Sequence, residues 1–353
     1  MEEDEYIFDA RDKAIIALLE MIKNMLMKRL YKKDEWINRY IGTRISSRAW
    51  CDLPPELLRE IANSLGLFDL LAFRGVCKDW RSASFTASAP IESARDTKPC
   101  FLLHNDRDEK TILFNPTTNK NYNINIPELK EATCLASTQG WLLVSQKGHV
   151  FFFCPFSRAK IVLPPLQESE ISPGAAVFTS PPSSIDCVTA IIYKKNDHVL
   201  ELNVLERGVS SWMKYEYDLK LKQRNFGVVK GATSHDGCFY IMDDKNELLT
   251  FTLEDKSFEI YRIVNASKDP NVVSLPFRIK DKCFNSSDLK KQMKLGDDVT
   301  ISTCASSYFG SDSEIVIKNE NIEAMEGSEA QHFKGIWIQP RFFQLPPNYS
   351  WSL

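Results

Sequence analysis

The first strong hydrophobic pattern in the chain has the period of an α-helix. Between residues 11 and 31 large apolar side chains recur every three or four positions, with basic residues between them. The apolar positions are Ile15, Leu18, Leu19, Ile22, Met25, Leu26 and Leu30. This amphipathic helix is predicted to pack on a neighbouring helix or domain. A helix lying on a membrane surface is the disfavoured alternative, because the acidic start MEEDEYIFDARDK would be repelled by anionic lipid.

A second helical pattern occupies residues 53–82 and consists of two short apolar stripes on either side of Gly66. The stripes contain Leu53, Leu57, Leu58, Ile61 and Leu65, then Leu70, Phe73, Val76, Cys77 and Trp80. Two or three short helices carry more large apolar side chains here than they can bury against one another. Part of this surface is therefore predicted to contact either the rest of the chain or another protein.

The ends of these two helices are predicted from their capping residues. Pro54 and Pro55 suit the first turn of a helix, and Asp52 is predicted to cap its free N–H groups. Gly66 is predicted to end the first helix, and Asp69 to cap the second.

From Phe101 onward the pattern changes to short apolar runs separated by turn residues about every ten positions, which indicates an all-β domain. The same succession of turns and strands occurs in residues 136–163 and again in residues 232–261. In both segments a glycine turn (Gly140, Gly237) precedes an apolar strand. Segments 188–217 and 111–124 match parts of it. The corresponding strands start at Thr111, Val150, Val199 and Leu248, which are 39, 49 and 49 residues apart.

This spacing favours a β-propeller over the alternative, a β-sandwich with irregular strands, because a four-stranded blade takes about 40–50 residues. We therefore predict an α+β multidomain chain, in which a small all-α module precedes an all-β propeller-like domain of about 5–6 blades. The segment FKGIWIQPRFF near the C-terminus is a candidate for the strand that closes the ring beside CFLLHN. The predicted domains are an N-terminal helix and linker (1–48), the helical module (49–84), a connector (85–99) and the propeller-like domain (100–345).

Composition and charge narrow the class of protein. A chain with 43% hydrophobic and 26% charged residues can bury a core, and its net charge of -3 gives no general case for nucleic acid or anionic membrane as partner. The start has no pattern of a secretory signal and no run of 18 apolar residues occurs, so we expect a soluble intracellular protein of the nucleus or cytoplasm. The nine cysteines form no CxxC pair and the five histidines are scattered, so neither a metal site nor a cofactor is predicted.

The helical module closely resembles the F-box. The likeness rests on Leu53–Pro54, on Glu56–Leu57–Leu58 with Ile61 and Leu65, on Asp69–Leu70, and on the terminal VCKxWR pattern from Val76 to Arg81. F-box modules dock on the small Skp adaptor, which in turn holds a cullin and a RING subunit so that a bound protein is presented for ubiquitin transfer. The resemblance implies adaptor contacts by Leu53, Pro54, Leu57, Leu58, Ile61, Leu70, Val76, Cys77 and Trp80, and it leaves open whether Leu65 and Phe73 belong to the core of the module.

The β region resembles, less sharply, the KIB-type propeller domain that follows an F-box in a large plant family. The motifs are Gly140–Trp141, Ile161 to Leu166 and Ala176 to Ser184, and the likeness is best over residues 134–184. After about residue 265 it thins to KLGDD (294–298) and GIWIQP (335–340).

An enzyme is the disfavoured interpretation. No GxSxG, GxxxxGK[ST] or HExxH motif occurs, and the run TSHDG at 233–237 is predicted to form a turn. The carboxylate pairs Asp243–Asp244 and Asp297–Asp298 are interpreted as solvated, and Cys77 as a packing residue.

The leading hypothesis is accordingly a non-catalytic substrate receptor of a Skp–cullin–F-box ubiquitin ligase, which recruits a target protein for ubiquitination and proteasomal degradation. The alternatives are a scaffold that binds the Skp adaptor without delivering a substrate and, less favoured, a propeller enzyme.

Overall fold

The computed structural model of the protein describes residues 53–86, 99–105, 110–166, 175–220, 226–245, 247–262, 278–281, 293, 299–303, 306–309, 314–318, 331–343, 345–346 and 348–352. The predicted N-terminal helix, the proposed cap Asp52, most of the connector and the pair Asp297–Asp298 lie outside these residues.

The chain forms two compact units, which are described separately. One unit comprises Met1–Asp96 and Arg341–Gln344, and the other comprises Thr97–Pro340 and Leu345–Leu353. The sequence pattern places residues 341–344 in the propeller-like domain, whereas the structure groups them with the helical unit.

The described residues of the helical unit form three short α-helices and a final 3₁₀ turn. They are α1 (Pro55–Ser64), α2 (Leu67–Val76), α3 (Lys78–Ala83) and the 3₁₀ turn Ser84–Thr86. None of the described helices is long and apolar enough to cross a membrane.

The described residues of the second unit are mostly in strands, and a 3₁₀ turn lies at Pro127–Leu129. The first eleven strands are β1 (Cys100–Asn105), β2 (Lys110–Asn115), β3 (Lys120–Asn125), β4 (Ala132–Thr138), β5 (Trp141–Gln146), β6 (His149–Phe153), β7 (Lys160–Val162), β8 (Ala175–Phe178), β9 (Val188–Lys194), β10 (Val199–Glu206) and β11 (Met213–Asp218). The others are β12 (Val229–His235), β13 (Cys238–Asp243), β14 (Glu247–Thr252), β15 (Ser257–Arg262), β16 (Arg278–Asp281), β17 (Val299–Thr303), β18 (Ser306–Phe309), β19 (Glu314–Lys318) and β20 (Gln331–Ile338).

Within the described residues these strands form five separate sheets. The strand orders are β17-β20-β1-β2-β3 in sheet 1, β4-β5-β6-β7 in sheet 2, β8-β9-β10-β11 in sheet 3, β12-β13-β14-β15 in sheet 4 and β16-β19-β18 in sheet 5. Sheets 2, 3 and 4 are antiparallel meanders of four strands. Their first strands pack side by side, β4 against β8 and β8 against β12. The unit is thus propeller-like, as the sequence spacing predicts, and the β-sandwich alternative is wrong.

The repeat seen in the sequence corresponds to one strand position in four successive sheets. The predicted starts at Thr111, Val150, Val199 and Leu248 fall in β2, β6, β10 and β14. Each is the next-to-last strand of its sheet.

The glycine turns of the repeat are also confirmed. Gln139 and Gly140 have φ of 50° and 85°, and Asp236 and Gly237 have φ of 44° and 73°. Positive φ at both central residues is the geometry of a two-residue hairpin whose twist matches the flanking strands. The run TSHDG therefore ends β12 and turns into β13.

The ring is closed in the way that the C-terminal pattern suggests. Strand β20 pairs antiparallel with β1, with Phe101 opposite Trp337 and Cys100 opposite Ile338. The rings of Phe101 and Trp337 lie 5.0 Å apart at 51°. Sheet 1 thus combines strands from both ends of the domain, so neither β1 nor β20 is an unpaired edge strand.

Two buried cysteines of the β unit are predicted to be unreactive in the folded chain. Burial raises the pKa of Cys100 to about 12 and that of Cys187 to about 11, so both remain neutral thiols, which are poor nucleophiles. With iodoacetamide at mildly alkaline pH, peptide mass spectrometry should find Cys77, which is only half-buried, modified well before these two. In denaturant the difference should disappear. Equal labelling of Cys77 and Cys187 in the folded chain would contradict the burial.

Candidate functional site

The first helix of the module begins at its proline pair. Pro54 is the N-cap residue and Pro55 the first helical residue, and no side chain caps the helix among the described residues. The carbonyl oxygen of Pro54 accepts the first helical hydrogen bond, from the Leu58 N–H at 3.1 Å. The proline ring removes one N–H that would otherwise lack a partner, so the helix starts without a polar cap.

The junction between α1 and α2 differs from the sequence prediction. Helix α1 ends at Ser64 with Leu65 as its C-cap, and Gly66 is the N-cap of α2 rather than the end of α1. The predicted cap Asp69 lies inside the first turn of α2. An aspartate in the first turn interacts favourably with the helix dipole, so the same residue type suits both positions. Helix α2 starts earlier than predicted, which brings the side chain of Leu67 into the core.

Helices α2 and α3 meet at Cys77, whose extended backbone ends one helix and begins the next. The bend allows Phe73 and Trp80 to face each other, with ring centroids 4.4 Å apart and an angle of 36°. Both side chains are fully buried. This aromatic pair is the centre of the module's own core.

The structure divides the nine predicted adaptor contacts into two groups. The buried group consists of Leu58, Ile61, Leu70 and Trp80. The half-buried group consists of Leu53, Pro54, Leu57, Val76 and Cys77. Side chains without exposed surface can meet a partner only if the module opens. We therefore assign a core role to these four residues in the free chain, and their adaptor contacts stay a prediction. Leu65 and Phe73, which the sequence leaves open, are buried as well.

Phe85 is an apolar surface residue that the contact prediction missed. It lies in the 3₁₀ turn directly after α3, and 60% of its surface is exposed. The sequence reading ends the module at residue 84 and places Phe85 in the connector. Because isolated exposed apolar residues are common, its sequence position alone carries no signal.

A polar cluster fixes the C-terminal end of the module. The Arg74 guanidinium donates to Ser84 Oγ at 3.0 Å, and Ser84 Oγ donates to the Arg81 carbonyl at 2.7 Å. Arg74 also lies 4.8 Å from the ring centroid of Phe342, which belongs to the same unit and is buried. Burial lowers the pKa of Arg74, and the neighbouring Arg81 lowers it further. This packing explains why the segment around Phe342 joins the helical unit.

The run TSHDG at 233–237 contains the Ser, His and Asp side chains of a hydrolase triad but does not have the geometry of such a triad. Ser234 Oγ donates to the Phe178 carbonyl at 3.3 Å, and His235 Nε2 lies 3.3 Å from Asp236 Oδ2. Serine and histidine are successive residues of β12, so their side chains point to opposite faces of the sheet. In the described part of the chain no group of three His, Cys, Asp or Glu residues is placed to hold a metal ion.

The interpretation of Asp243 as a solvated residue is wrong. Its carboxylate is fully buried and accepts hydrogen bonds from three backbone N–H groups, of Gly227 at 2.6 Å, Lys245 at 2.9 Å and Glu247 at 2.7 Å. It stabilises the turn between β13 and β14. Asp244, beside it, is exposed as expected.

Comparison with known proteins identifies both regions. A family model for the F-box domain matches residues 50–86, and a model described as KIB1-4 beta-propeller matches residues 113–305. The second match spans more than half of the chain.

Three similar curated proteins come from Arabidopsis thaliana. F-box protein At3g56470 is 25% identical over 58% of this chain and 54% of its own length. F-box protein At4g00893 is 28% identical over 59% and 52%, and F-box/kelch-repeat protein At3g18720 is 24% identical over 66% and 59%. The chain therefore spans between half and three fifths of the length of these relatives.

Proposed function

Since the chain belongs to the KIB1-4 beta-propeller family and carries an F-box domain, we propose that it is a substrate-recognition subunit of a Skp–cullin–F-box ubiquitin ligase. In this proposal the helical module docks on the Skp adaptor, which links the chain to the cullin and RING subunits. The propeller-like unit recruits a target protein for ubiquitination and proteasomal degradation. The chain itself is a non-catalytic receptor and acts in the nucleus or cytoplasm.

The observation that carries this proposal is a small module that buries an aromatic pair and still presents apolar side chains at its surface. The Phe73–Trp80 pair packs the interior, while Leu53, Leu57 and Val76 remain half-buried. Fully burying such a side chain contributes about 1.5–3 kcal/mol, and a half-buried one contributes less. Association costs about 4–15 kcal/mol, so several of these residues must act together. We add the exposed Phe85 to the proposed contact surface for this reason.

We expect Leu57→Asp to abolish stable adaptor binding without unfolding the module. Leu57 is half-buried on α1, so an aspartate there can reach solvent in the free chain but loses that solvation in an apolar interface. The loss amounts to several kcal/mol, which lowers the affinity at least about a hundredfold. Co-purification of the full chain with a coexpressed plant Skp adaptor measures the effect.

Asn63→Asp is the matched control for this experiment. It introduces the same charge into the same helix at an exposed position and should leave co-purification unchanged. Hydrogen exchange of residues 53–86 in both variants verifies the helices. Equal adaptor binding by Leu57→Asp and the wild-type chain would refute the docking surface, as would the absence of binding by the wild-type chain.

The delivery of a substrate needs a separate test from the docking. Proximity labelling by the full chain, with and without a proteasome inhibitor, should reveal proteins whose labelling increases when degradation is blocked. Leu57→Asp should still label these proteins but should no longer shorten their half-lives. If no neighbour changes in abundance, the chain binds the adaptor as a scaffold and the delivery proposal is wrong.

A further inference from the structure

Strand β10 has two faces of opposite character. Successive side chains of a strand point to opposite sides of the sheet. On one side Leu200, Leu202 and Val204 join an apolar core shared with sheet 4. On the other side Glu201 and Asn203 are also buried, with only 1% and 6% of their surfaces exposed. A carboxylate in such a central position is costly to desolvate, so its presence requires an explanation beyond packing.

A cavity of about 260 Å³ lies on this polar side of β10. Glu201 and Asn203, together with Lys214 from β11, form the polar wall of this cavity. Pro165 and Leu166, which follow the last strand of sheet 2, give the lining an apolar part. Trp212, in the loop between β10 and β11, completes the lining beside two serines. Five of the eight lining residues are polar, so the cavity is more polar than most small-molecule sites.

The polar wall is held in place by internal bonds. Asn203 Nδ2 donates to Glu201 Oε1 at 2.9 Å, and Lys214 Nζ lies 2.5 Å from Glu201 Oε2. The Trp212 indole N–H donates to the Pro164 carbonyl at 2.9 Å, which fixes the orientation of the ring. A ligand would therefore meet side chains that are already ordered, and ordering them on binding would cost little.

The charges at this site limit the chemistry of a ligand. Both oxygens of the Glu201 carboxylate are engaged, one of them by the Lys214 ammonium, so a metal cation would meet a positive charge at the carboxylate. The Lys214 ammonium is in turn shared between Glu201 and, at 3.7 Å, Glu216, so an anion would be repelled by two carboxylates. A wholly apolar ligand would displace water from these polar groups and would offer no hydrogen bonds in exchange. The class of ligand that fits these charges is therefore a neutral molecule with several hydrogen-bonding groups.

We propose that this cavity binds a neutral, hydroxyl-rich small molecule about the size of a monosaccharide. The Trp212 ring has an apolar face and a polar N–H at its edge. Its face covers the C–H surface of the ligand. The Asn203 carbonyl oxygen and the Ser210 and Ser211 hydroxyls exchange hydrogen bonds with its hydroxyl groups. The volume of about 260 Å³ lies just below the range of about 300–1,000 Å³ for sites of drug-sized molecules, which agrees with a ligand of this size. This activity goes beyond the proposed receptor function and does not depend on it.

Titration of the full chain with glucose, galactose, mannose and myo-inositol tests the proposal. Isothermal calorimetry at ligand concentrations on the order of tens of millimolar should detect at least one of them, with a millimolar dissociation constant typical of a small neutral ligand. Trp212→Leu, which removes the ring, and Glu201→Gln, which loosens the polar wall, should each weaken binding about tenfold or more. Trp212→Phe keeps a ring and should retain part of the affinity.

Glu216→Gln is the matched control, because Glu216 also approaches Lys214 but lies outside the cavity. It should bind the same molecule as the wild-type chain. The proposal is overturned if none of the four molecules binds to the wild-type chain, or if the Trp212→Leu and Glu201→Gln variants bind as well as it does. It is also overturned if the neutral amide N-acetylalanine methylamide binds and the four hydroxylated molecules do not. Since no adaptor is present in these titrations, none of these results bears on the docking proposal.

Discussion

Trp80→Ala is expected to unfold the helical module and, with it, to abolish adaptor binding. The indole is fully buried against Phe73, 4.4 Å away, and removing a buried Trp side chain costs about 3–5 kcal/mol. Three short helices have little stability to lose, because whole domains are stable by only about 5–15 kcal/mol. Hydrogen exchange followed by mass spectrometry should therefore show loss of amide protection across α1, α2 and α3.

Lys78→Ala, at an exposed position in the same helix, is the control for Trp80→Ala. It should change the free energy of unfolding by no more than about 0.5 kcal/mol and leave amide protection intact. Trp80→Phe, which keeps an aromatic ring beside Phe73, should give an intermediate result. Retained protection and retained adaptor binding in Trp80→Ala would show that this ring pair is not the core of the module.

The contrast between Trp80→Ala and Leu57→Asp separates two roles that the sequence does not distinguish. Both residues belong to the F-box pattern and both are apolar. A core residue and a contact residue need the same side-chain chemistry, so the motif alone identifies the module but not the face on which each residue lies. Only the bend at Cys77, which turns Trp80 towards Phe73, decides that Trp80 is interior.

The β unit was more predictable because its signals are local. Hairpin turns need positive φ, and glycine at positions 140 and 237 marks them in the sequence. Between the turns, short apolar runs give the strands, and the repetition of both gives the sheets. The pairing of β20 with β1 joins residues more than two hundred positions apart, yet it was predictable because a propeller has to close.

Long-range polar contacts were not predictable from the sequence. Asp243 and Asp244 are adjacent and identical in type, yet one is buried and the other exposed. Both carboxylates accept a backbone N–H from sixteen residues away, Gly227 to Asp243 and Val228 to Asp244. Asp243 alone also accepts from the turn, from the N–H groups of Lys245 and Glu247, and it is the buried one of the pair. Glu201 is a similar case, since its partner Lys214 comes from the next strand. A buried carboxylate is stable only with such partners, and the sequence does not show which charged residues obtain them.

The C-terminal segment of the β unit contains a fully buried tryptophan, and its contacts connect two sheets. Trp351 stacks on Phe152 of sheet 2, with ring centroids 5.6 Å apart at 23°. Its indole N–H donates to the Glu206 carbonyl, at the end of β10 in sheet 3, at 3.2 Å. The guanidinium of Arg207 lies over the rings of both Tyr349 and Trp351, and it donates to the Trp351 carbonyl. The segment thus contacts both sheet 2 and sheet 3 and connects them.

Trp351→Ala is expected to destabilise the β unit strongly. The fully buried ring loses its packing, and the Glu206 carbonyl keeps the Val209 N–H but loses the indole donor, for a total of about 3–5 kcal/mol. For a unit of this size the melting temperature should fall by about 6–20 °C in calorimetry of the full chain. Ser350→Ala, at the exposed neighbouring position, should leave it nearly unchanged. Arg207→Ala removes the cation over both rings and should cause a smaller decrease. An unchanged melting temperature in Trp351→Ala would mean that the segment adds no stability to the two sheets that it connects.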